Sequence, residues 1–268
     1  MIGKLKYTGL MLDGVDLMSD TYRFIVEGLF DNYFKHYEAD LYSDGSSLSH
    51  LKLQNKQLVL NGYVKTDSPK DIIFINKLLG SKGKKNLLID VDGLGKVAIE
   101  VAPSNFITDD KGFKSCQLIA YDPHMYSTET KKVEVGRLVK SNGLDFPFTF
   151  PIKFEYSETG SYTSIYNDGN TICYPVITIK GTCSHISFYN NSTNQCFTIN
   201  TSLEANDVLI IDNRPKTRGV YLNGVNRIDL KQGDWIECCE GENSLAFYCN
   251  TLETDKKHCT VEIVSRWI

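Results

Sequence analysis

Alternation of apolar and polar residues with a period of two is the pattern that most constrains this chain. Val97, Ile99 and Val101 are spaced two apart, and residues 152–157 repeat the pattern. This spacing is typical of a strand with one buried face, because successive side chains of a strand point to opposite sides of its sheet. Similar stretches predict further strands at 58–64, 86–90, 115–121, 176–180, 185–189, 196–200, 208–212, 244–249 and 260–267.

Two dipeptides between these stretches have the composition of hairpin turns. Asp92-Gly93 lies between two predicted strands, and Asn223-Gly224 follows the short apolar run 220–222. Asp, Asn and Gly tolerate the positive φ that tight hairpin turns require. We therefore predict a hairpin at each position.

Only residues 68–80 carry a full set of helix signals. Ser68 can cap the helix, Pro69 suits its first turn and Gly80 can end it. The face of this helix that we predict to pack on a sheet consists of Ile72, Ile75 and Leu79.

The length of 268 residues allows two β domains, each with a core of its own. The 15 Tyr and 13 Phe favour a β-rich fold, because aromatic side chains suit the pleated surface of a sheet. Near residue 142 the strand pattern gives way to GLDFPFTFP, where Pro147 and Pro151 cannot donate to a ladder. We predict a connector there, with domains at 1–142 and 143–268.

The charge balance argues against several classes of partner. The net charge is -4, with 19 basic and 18 acidic side chains in residues 1–142 and 10 and 15 in residues 143–268. A nucleic-acid binder would need a basic surface, so no specific nucleic-acid binding is predicted. No stretch approaches the roughly 18 apolar residues of a membrane span, and Asp13 and Asp16 interrupt any signal-peptide core. We expect a protein made in the cytoplasm with no membrane partner.

The eight cysteines are predicted to be buried thiols. No CxxC pair occurs, and without a secretion signal a disulfide framework is not expected. The nearest approach to a ligand cluster is on alternating, strand-like segments, which disfavours zinc. Its members are Cys238, Cys239, Cys249, His258 and Cys259. The sequons at Asn190, Asn191 and Asn200 are interpreted as polar turns.

Other motif matches fail on their context. Residues 93–98 have the GxGxxA spacing, but a strand pattern follows instead of the helix that would receive a pyrophosphate. Asp90 and Asp92 begin like a calcium loop, yet Leu94 and Lys96 occupy later ligand positions. Two acidic pairs could serve a glycosidase as acid and base, but the sequence indicates no pocket around either pair. They are Asp109 with Asp110, and Glu240 with Glu242.

No catalytic cluster emerges from these tests. The five His residues are scattered and no GxSxG elbow is present. We therefore assign no catalytic, cofactor-binding or metal-binding residue and expect a binding or assembly protein, not an enzyme.

Eight segments in order resemble the distal tail protein family of long, flexible-tailed (siphovirus) phages, and together they run nearly end to end. Each piece alone is short, so the resemblance depends on their order. The segments are DSPKDIIFINKLL (67–79), LLIDVDGLGKVAIEV (87–101), CQLIAYDPHMYS (116–127), GLDFPFTFPIKF (143–154), NDGNTICYPVITIKG (167–181), VLIIDNRPKTRGVYLNG (208–224), EGENSLAF (240–247) and VEIVSRWI (261–268).

The resemblance implies a mainly β structural virion protein at the distal end of the tail. Residues 1–142 would form a β-sandwich-like ring domain with one α-helix, and 143–268 a galectin-like β-sandwich. The implied assembly is a homo-hexameric ring around a channel for DNA, joining the tail tube protein to tail-tip or baseplate proteins for host adsorption. Tape-measure and receptor-binding proteins are further implied partners. No cofactor is implied.

Two alternatives remain open. A carbohydrate-binding module for host-wall saccharides would rest on the β-sandwich prediction alone, since no His-Asn-Arg group accompanies Trp235 as in galectins that bind sugars. We interpret Trp235 as a packing residue. A cell-wall hydrolase would need one of the carboxylate pairs described above.

Overall fold

The computed structural model confirms the mainly β class: it contains one α-helix and otherwise strands, with a single short 3₁₀ turn, in the part of the chain that it describes. Contacts divide the chain into two units, one of residues 1–128 with 267–268 and one of residues 129–266. The described residues are 7–40, 46–110, 112–141, 157–159, 162–250 and 259–268.

The first unit is formed by the N-terminal strands and the helix. In chain order they are β1 (Tyr7–Leu12), β2 (Val15–Asp16), β3 (Tyr22–Glu27), β4 (Phe34–Asp40), β5 (Ser46–Leu53), β6 (Lys56–Val64), α1 (Pro69–Gly80), β7 (Lys85–Val91), β8 (Gly95–Thr108), β9 (Lys114–Ala120) and β10 (Met125–Ser127).

The long strand β8 connects two parts of one nearly closed sheet with the order β2-β1-β7-β8-β9-β6-β3. Residues 95–101 of β8 pair with β7, and residues 102–108 pair with β9, with a shift of register between Pro103 and Asn105. Leu17 brings the two ends of the sheet together. Its N–H donates to the Leu10 carbonyl at 2.8 Å, and its carbonyl accepts from the Phe24 N–H at 2.9 Å. The interior of this curved sheet holds the core of the first unit.

Helix α1 covers the core with its C-terminal half. Ile75 and Leu79 are buried, as predicted, whereas Ile72 is exposed and does not share their environment. Pro69 is the first helical residue and Gly80 the last. The predicted side-chain cap is wrong: Ser68 occupies the N-cap position, but its hydroxyl makes no capping hydrogen bond.

Lys56 is a buried cation at the start of β6. Its Nζ donates to the Leu29 carbonyl at 2.8 Å, and 1% of the residue is exposed. Burial lowers the pKa of Lys56 to about 8, although the nearby Asp31 carboxylate opposes the shift. The cause is that a low-dielectric surrounding disfavours the charged ammonium.

This burial predicts a pH-dependent stability. Between pH 8 and the ordinary lysine pKa of 10.5, the unfolded chain holds a proton that the folded chain has released. The free energy of unfolding therefore rises with pH across that window, by about 2 kcal/mol between pH 7.5 and 10. Urea unfolding of the wild type and Lys56→Met at both pH values isolates this contribution as the difference between the proteins. An unchanged difference would show that Lys56 is not buried as described.

The second unit is formed by the remaining strands up to Arg266. In chain order they are β11 (Lys131–Val135), β12 (Arg137–Ser141), β13 (Ser157–Thr159), β14 (Thr163–Asn167), β15 (Val176–Lys180), β16 (Ser184–Asn190), β17 (Gln195–Ile199), β18 (Val208–Asp212), β19 (Gly219–Leu222), β20 (Val225–Asn226), β21 (Lys231–Gly233), β22 (Gly241–Asn250), β23 (Cys259–Ile263) and β24 (Arg266–Trp267), whose Trp267 belongs to the first unit.

Two sheets of the second unit form a β-sandwich. One has the order β11-β23-β15-β18-β19-β20, and the other is β13-β12-β22-β16-β17-β21 with β14 beside β22. Alternate residues of both sheets meet in one core, where Phe188 and Phe197 stack with ring centroids 5.6 Å apart. Packing the two sheets face to face thus buries the apolar face of each strand.

Both predicted hairpin turns are confirmed. Residues 92–94 connect β7 to β8, with a positive φ at Gly93. Asn223 and Gly224 connect β19 to β20, and both have a positive φ. These positions need residues that tolerate the left-handed region.

The segment around the predicted domain boundary is described in part. Strand β11, which the sequence analysis counted with residues 1–142, pairs with β23 of the second unit. The predicted connector at 143–151 lies outside the described residues, as does most of the strand predicted at 152–157.

Candidate interaction surfaces

Exposed apolar side chains are concentrated in the first unit. Of the 19 large hydrophobic residues that are exposed among the described residues, 14 lie between Met11 and Tyr121 and 5 in the second unit. Single exposed apolar residues are common on monomers, but clusters of them mark surfaces that another molecule covers. The clusters of the first unit are therefore the candidate interaction surfaces.

The first cluster is one face of the β4–β5 hairpin, a two-stranded sheet whose strands pair only with each other among the described residues. Phe34 lies opposite Leu53, and His36 lies opposite Leu51. Residues paired in this way, and residues two apart, share a face. Phe34 is 47% exposed and Leu51 is 50% exposed. We call this set the hairpin face.

The opposite side of the hairpin is basic and aromatic. Lys35 pairs with Lys52, and Tyr37 pairs with His50. The rings of Tyr37 and His50 stack with centroids 4.2 Å apart, and the Lys35 Nζ lies 4.9 Å from the Tyr37 centroid. Stacking and the cation–π contact stabilise this side within the hairpin itself. Among the residues that the structure describes, no such contact covers the hairpin face, so it is the side open to a partner.

The second cluster is at the N-terminal half of α1. Ile72, Ile73 and Phe74 are consecutive and all exposed, with Ile73 at 67% and Phe74 at 48%. Only the C-terminal half of the helix packs on the sheet, so these three side chains project away from the core. We call them the helix face.

A third apolar area lies on the outer side of β3 and β6. Ile25 and Tyr63 are exposed, while their neighbours Phe24 and Gly62 face the core. Arg23, which pairs with Tyr63, makes this area more polar than the other two. The hairpin face and the helix face are therefore the better candidates for a dry contact.

The second unit presents a different feature, an irregular segment held by buried amides. Residues 234–240 lie between β21 and β22 without strand pairing, apart from one bridge at Cys238. Four asparagine residues of the second unit are fully buried, with 0% of each exposed. They are Asn167, Asn190, Asn213 and Asn243. Buried amides persist where they satisfy backbone groups that have no ladder partner.

Asn243 makes the largest number of these contacts. Its Oδ1 accepts from the Asn190 side-chain amide at 3.1 Å and from the Cys239 backbone N–H at 2.9 Å. Its Nδ2 donates to the carbonyl oxygens of Cys239 at 2.8 Å and Gly241 at 3.1 Å. The Asn243 side chain thus makes hydrogen bonds to backbone groups of Cys239 and Gly241 of the kind that a neighbouring strand would otherwise make.

Asn213 and Asn190 secure the preceding residues. The Asn213 Oδ1 accepts from the Ile236 N–H at 2.8 Å, and its Nδ2 donates to the Pro175 carbonyl at 2.8 Å. The Asn190 Nδ2 donates to the Glu237 carbonyl at 2.7 Å. Asn190 ends β16, and although the side chain is buried, its Oδ1 accepts from the Ser192 N–H of the following turn at 3.1 Å; Asn191 lies in that turn.

Trp235 is a packing residue, as interpreted from the sequence. It is partly buried against the core of the second unit. The Lys231 Nζ lies 4.4 Å from its ring centroid and the Arg218 Cζ lies 5.3 Å from it. Both cations are therefore close enough to the ring for cation–π contacts.

The structure does not bring the other residues considered for catalysis or metal binding together into a site among the residues that it describes. Asp109, Asp110, Glu240 and Glu242 are exposed, and Asp92 lies in a hairpin turn. Six of the eight cysteines are buried, as predicted, and Cys196 and Cys239 are partly exposed. In the described residues no group of three His, Cys, Asp or Glu side chains could hold a metal ion, and His258 lies outside them.

Within the described residues, no helix has the length and apolar character needed to cross a membrane.

Residues 168–267 match the family model of the siphovirus-type tail component, C-terminal domain. No curated protein matches the chain.

Solved structures extend the likeness to the whole chain. The crystal structure of the SPP1 Dit protein, described as a paradigm of the hub adsorption apparatus in Gram-positive infecting phages, has 15% identity and a TM-score of 0.66, and the match covers 97% of this chain and 99% of that one. The phage P2 baseplate in its activated conformation with Ca has 11% identity, a TM-score of 0.48 and coverage of 93% and 92%. Its form with Sr has 12% identity, a TM-score of 0.47 and 98% coverage of each chain.

The resemblance to the distal tail protein family is confirmed. Residues 168–267 carry the C-terminal domain of siphovirus-type tail components, and the chain as a whole has the fold of SPP1 Dit. The C-terminal part thus matches a tail component family, and the whole chain shares the fold of a hub protein.

Proposed function

We propose that this chain is a distal tail protein that forms a hexameric ring. The ring would join the tail tube to the tail-tip or baseplate proteins of the host-adsorption apparatus and leave a central channel for DNA. The match of residues 168–267 to the tail component family carries the proposal, and the fold shared with a hub protein supports it. The role involves no catalysis and no cofactor.

The proposed ring contact joins two different surfaces of the first unit. A closed ring uses heterologous interfaces, in which one patch of each copy meets a different patch of the next. The hairpin face and the helix face are two such patches, since both are apolar and exposed. A two-stranded hairpin is marginally stable alone in water, so a partner that covers Leu51 would stabilise it. We therefore propose that the hairpin face of one copy covers the helix face of its neighbour.

The charge of the N-terminal part supports DNA passage. Residues 1–142 carry 19 basic and 18 acidic side chains. A basic lumen would retain DNA, because each phosphate contact adds to binding. A nearly neutral ring domain suits a channel through which DNA slides. Tape-measure and receptor-binding proteins are proposed as further partners at the distal end of the tail in the virion.

The ring is tested on the purified full chain. Native mass spectrometry should show a species of six times the 30.3 kDa chain, and negative-stain electron microscopy should show rings with a central hole. A protein that stays monomeric at every concentration, or that closes with another number of copies, would overturn the hexamer.

Carbohydrate binding is not proposed as a second function. The β-sandwich itself is present, but the one tryptophan of its described surface is packed beneath Lys231 and Arg218. No other described feature of the second unit favours a sugar over a protein partner.

A further inference from the structure

Cys173 and Cys238 face each other across two strand segments of the second unit. They form an isolated antiparallel bridge. The Cys173 N–H donates to the Cys238 carbonyl at 2.9 Å, and the Cys238 N–H donates back to the Cys173 carbonyl at 2.8 Å. The two residues are therefore a hydrogen-bonded antiparallel pair, whose side chains point to the same side.

The backbone spacing of this pair is compatible with a disulfide. The Cα atoms of such a pair lie about 5.5 Å apart, within the range of roughly 4.4–6.8 Å in which disulfides form. Cys173 is 1% exposed and Cys238 is 0% exposed, and both belong to the core of the sandwich. The two side chains interact with each other. A hydrogen bond with the Cys173 thiol is the largest cause that raises the pKa of the Cys238 thiol, and burial is the second.

The backbone on both sides of the pair is held by Asn167. Its buried Nδ2 lies 2.9 Å from the Thr171 carbonyl, 3.5 Å from the Cys238 carbonyl and 3.3 Å from the Cys239 carbonyl. One side chain therefore contacts the segments that carry both sulfur atoms. Such fixation lowers the entropy that must be lost when the two sulfurs are joined.

We propose that Cys173 and Cys238 are a disulfide-forming site, which a small-molecule disulfide oxidises to a cross-strand bond. The bond would connect the irregular segment 234–240 to the residues before β15. Cys239, the next residue, is not part of the site, because its Sγ donates to the Asn243 Oδ1 at 3.4 Å instead.

The reaction is two successive thiol–disulfide exchanges. One cysteine loses its proton and attacks the oxidant, so that a mixed disulfide forms and one small thiol leaves with a proton. The second cysteine then loses its proton and attacks the protein sulfur of the mixed disulfide. The Cys173–Cys238 bond forms, the second small thiol leaves with that proton, and two electrons have passed from the protein to the oxidant.

Burial makes this reaction slow in the folded protein. The thiolate is the attacking species, and the raised pKa of Cys238 keeps it scarce. The bond should therefore form on opening of the segment or during folding, and the thiols should survive assembly in a reducing cytoplasm.

The test is refolding of the full chain from urea in a buffer of reduced and oxidised glutathione, which gives the oxidant access to both thiols. Peptide mass spectrometry after alkylation measures the ratio of the Cys173–Cys238 disulfide to the free pair. We expect this ratio to be about 100-fold higher in the refolded chain than in the chain kept in urea, because a bond that fits the fold is favoured by folding to that extent.

Neighbouring cysteines provide the matched control. The cross-linked peptide should persist in Cys239→Ser and disappear in Cys238→Ser, and dithiothreitol should remove it from the wild type. A ratio that is the same in the folded and unfolded wild type would overturn the proposal even if Cys238→Ser fails to fold. So would a preference of Cys173 for Cys239 or any other cysteine.

Discussion

Leu51→Asp should convert the proposed hexameric ring into monomers. Leu51 lies on the hairpin face and is 50% exposed in the single chain, so the substitution costs the isolated fold little. In the ring it would place a carboxylate against the apolar helix face of the next copy. An unpaired charge at the centre of an interface weakens each contact by about 100-fold or more. Sedimentation velocity at micromolar concentration measures the change, and circular dichroism checks that the chain remains folded.

A mixing experiment identifies the surface that the hairpin face meets. Ile73→Asp on the helix face should also give monomers, because Ile73 is 67% exposed in the single chain and would be buried in the ring. Each variant keeps one intact surface, the helix face in Leu51→Asp and the hairpin face in Ile73→Asp. Their equimolar mixture should therefore form heterodimers with one native contact, and nothing larger.

The control for both substitutions is Val225→Asp. Val225 is 62% exposed but lies in the second unit, so this variant should still form rings. If Leu51→Asp keeps the ring, the hairpin face is not an interface. If both variants are monomeric but their mixture gives no heterodimer, the two faces do not meet each other, although each takes part in assembly.

Asn243→Ala should lower the free energy of unfolding of the second unit by about 3 kcal/mol, which corresponds to a fall in Tm of roughly 10 °C. The substitution removes the acceptor for the Cys239 N–H and the donor for the Cys239 carbonyl, which are 2.9 and 2.8 Å away. The Cys239 N–H and the buried Asn190 Nδ2 lose the Asn243 Oδ1 as acceptor, while the Cys239 carbonyl keeps the Asn167 Nδ2 at 3.3 Å. Differential scanning calorimetry of the full chain measures the effect.

Asn191→Ala is the matched control for this prediction. Asn191 is exposed in the turn after β16, next in sequence to the buried Asn190. Its loss should change the stability by less than about 0.5 kcal/mol, as is usual for surface positions. Equal effects of the two substitutions would show that the buried asparagine side chains, the amide network of Asn190, Asn213 and Asn243, do not hold the segment 234–240.

The strands with one buried face were predictable from the sequence. In β7, Leu87, Ile89 and Val91 face the core while the residues between them are more exposed, so the period of two is visible in the residue types. The same applies to β6 and β15. The two hairpin turns were predictable as well, because few residues tolerate a positive φ.

The β4–β5 hairpin was missed for a physical reason. Its apolar residues Phe34 and Leu51 are exposed, and Lys35 and Tyr37 on the other side mix charge with aromatic character. Residues 34–37 and 50–53, whose burial is described, include no buried residue, and such a ribbon does not need the alternation of apolar and polar residues that reveals other strands. The signal in the sequence that could have indicated this hairpin is the group of aromatic residues Tyr33, Phe34 and Tyr37.

The amide network shows the other limit of the sequence. Asn190 and Asn243 are 53 residues apart, and Asn167 and Cys239 are 72 residues apart, so nothing local indicates that they meet. Asparagine is typical of turns, and only its tertiary surroundings make it a buried partner of the backbone.

The sequence by itself therefore determined the strand-rich class, the position of the helix, the tight turns and the likeness to distal tail proteins. These properties depend on residues close together in the chain or on ordered motifs. The tertiary structure alone decided that Ile72, Ile73 and Phe74 remain uncovered, that Asn243 replaces a strand and that Cys173 faces Cys238. Each of these depends on which distant segment packs against a residue, and the residue types alone do not encode that choice.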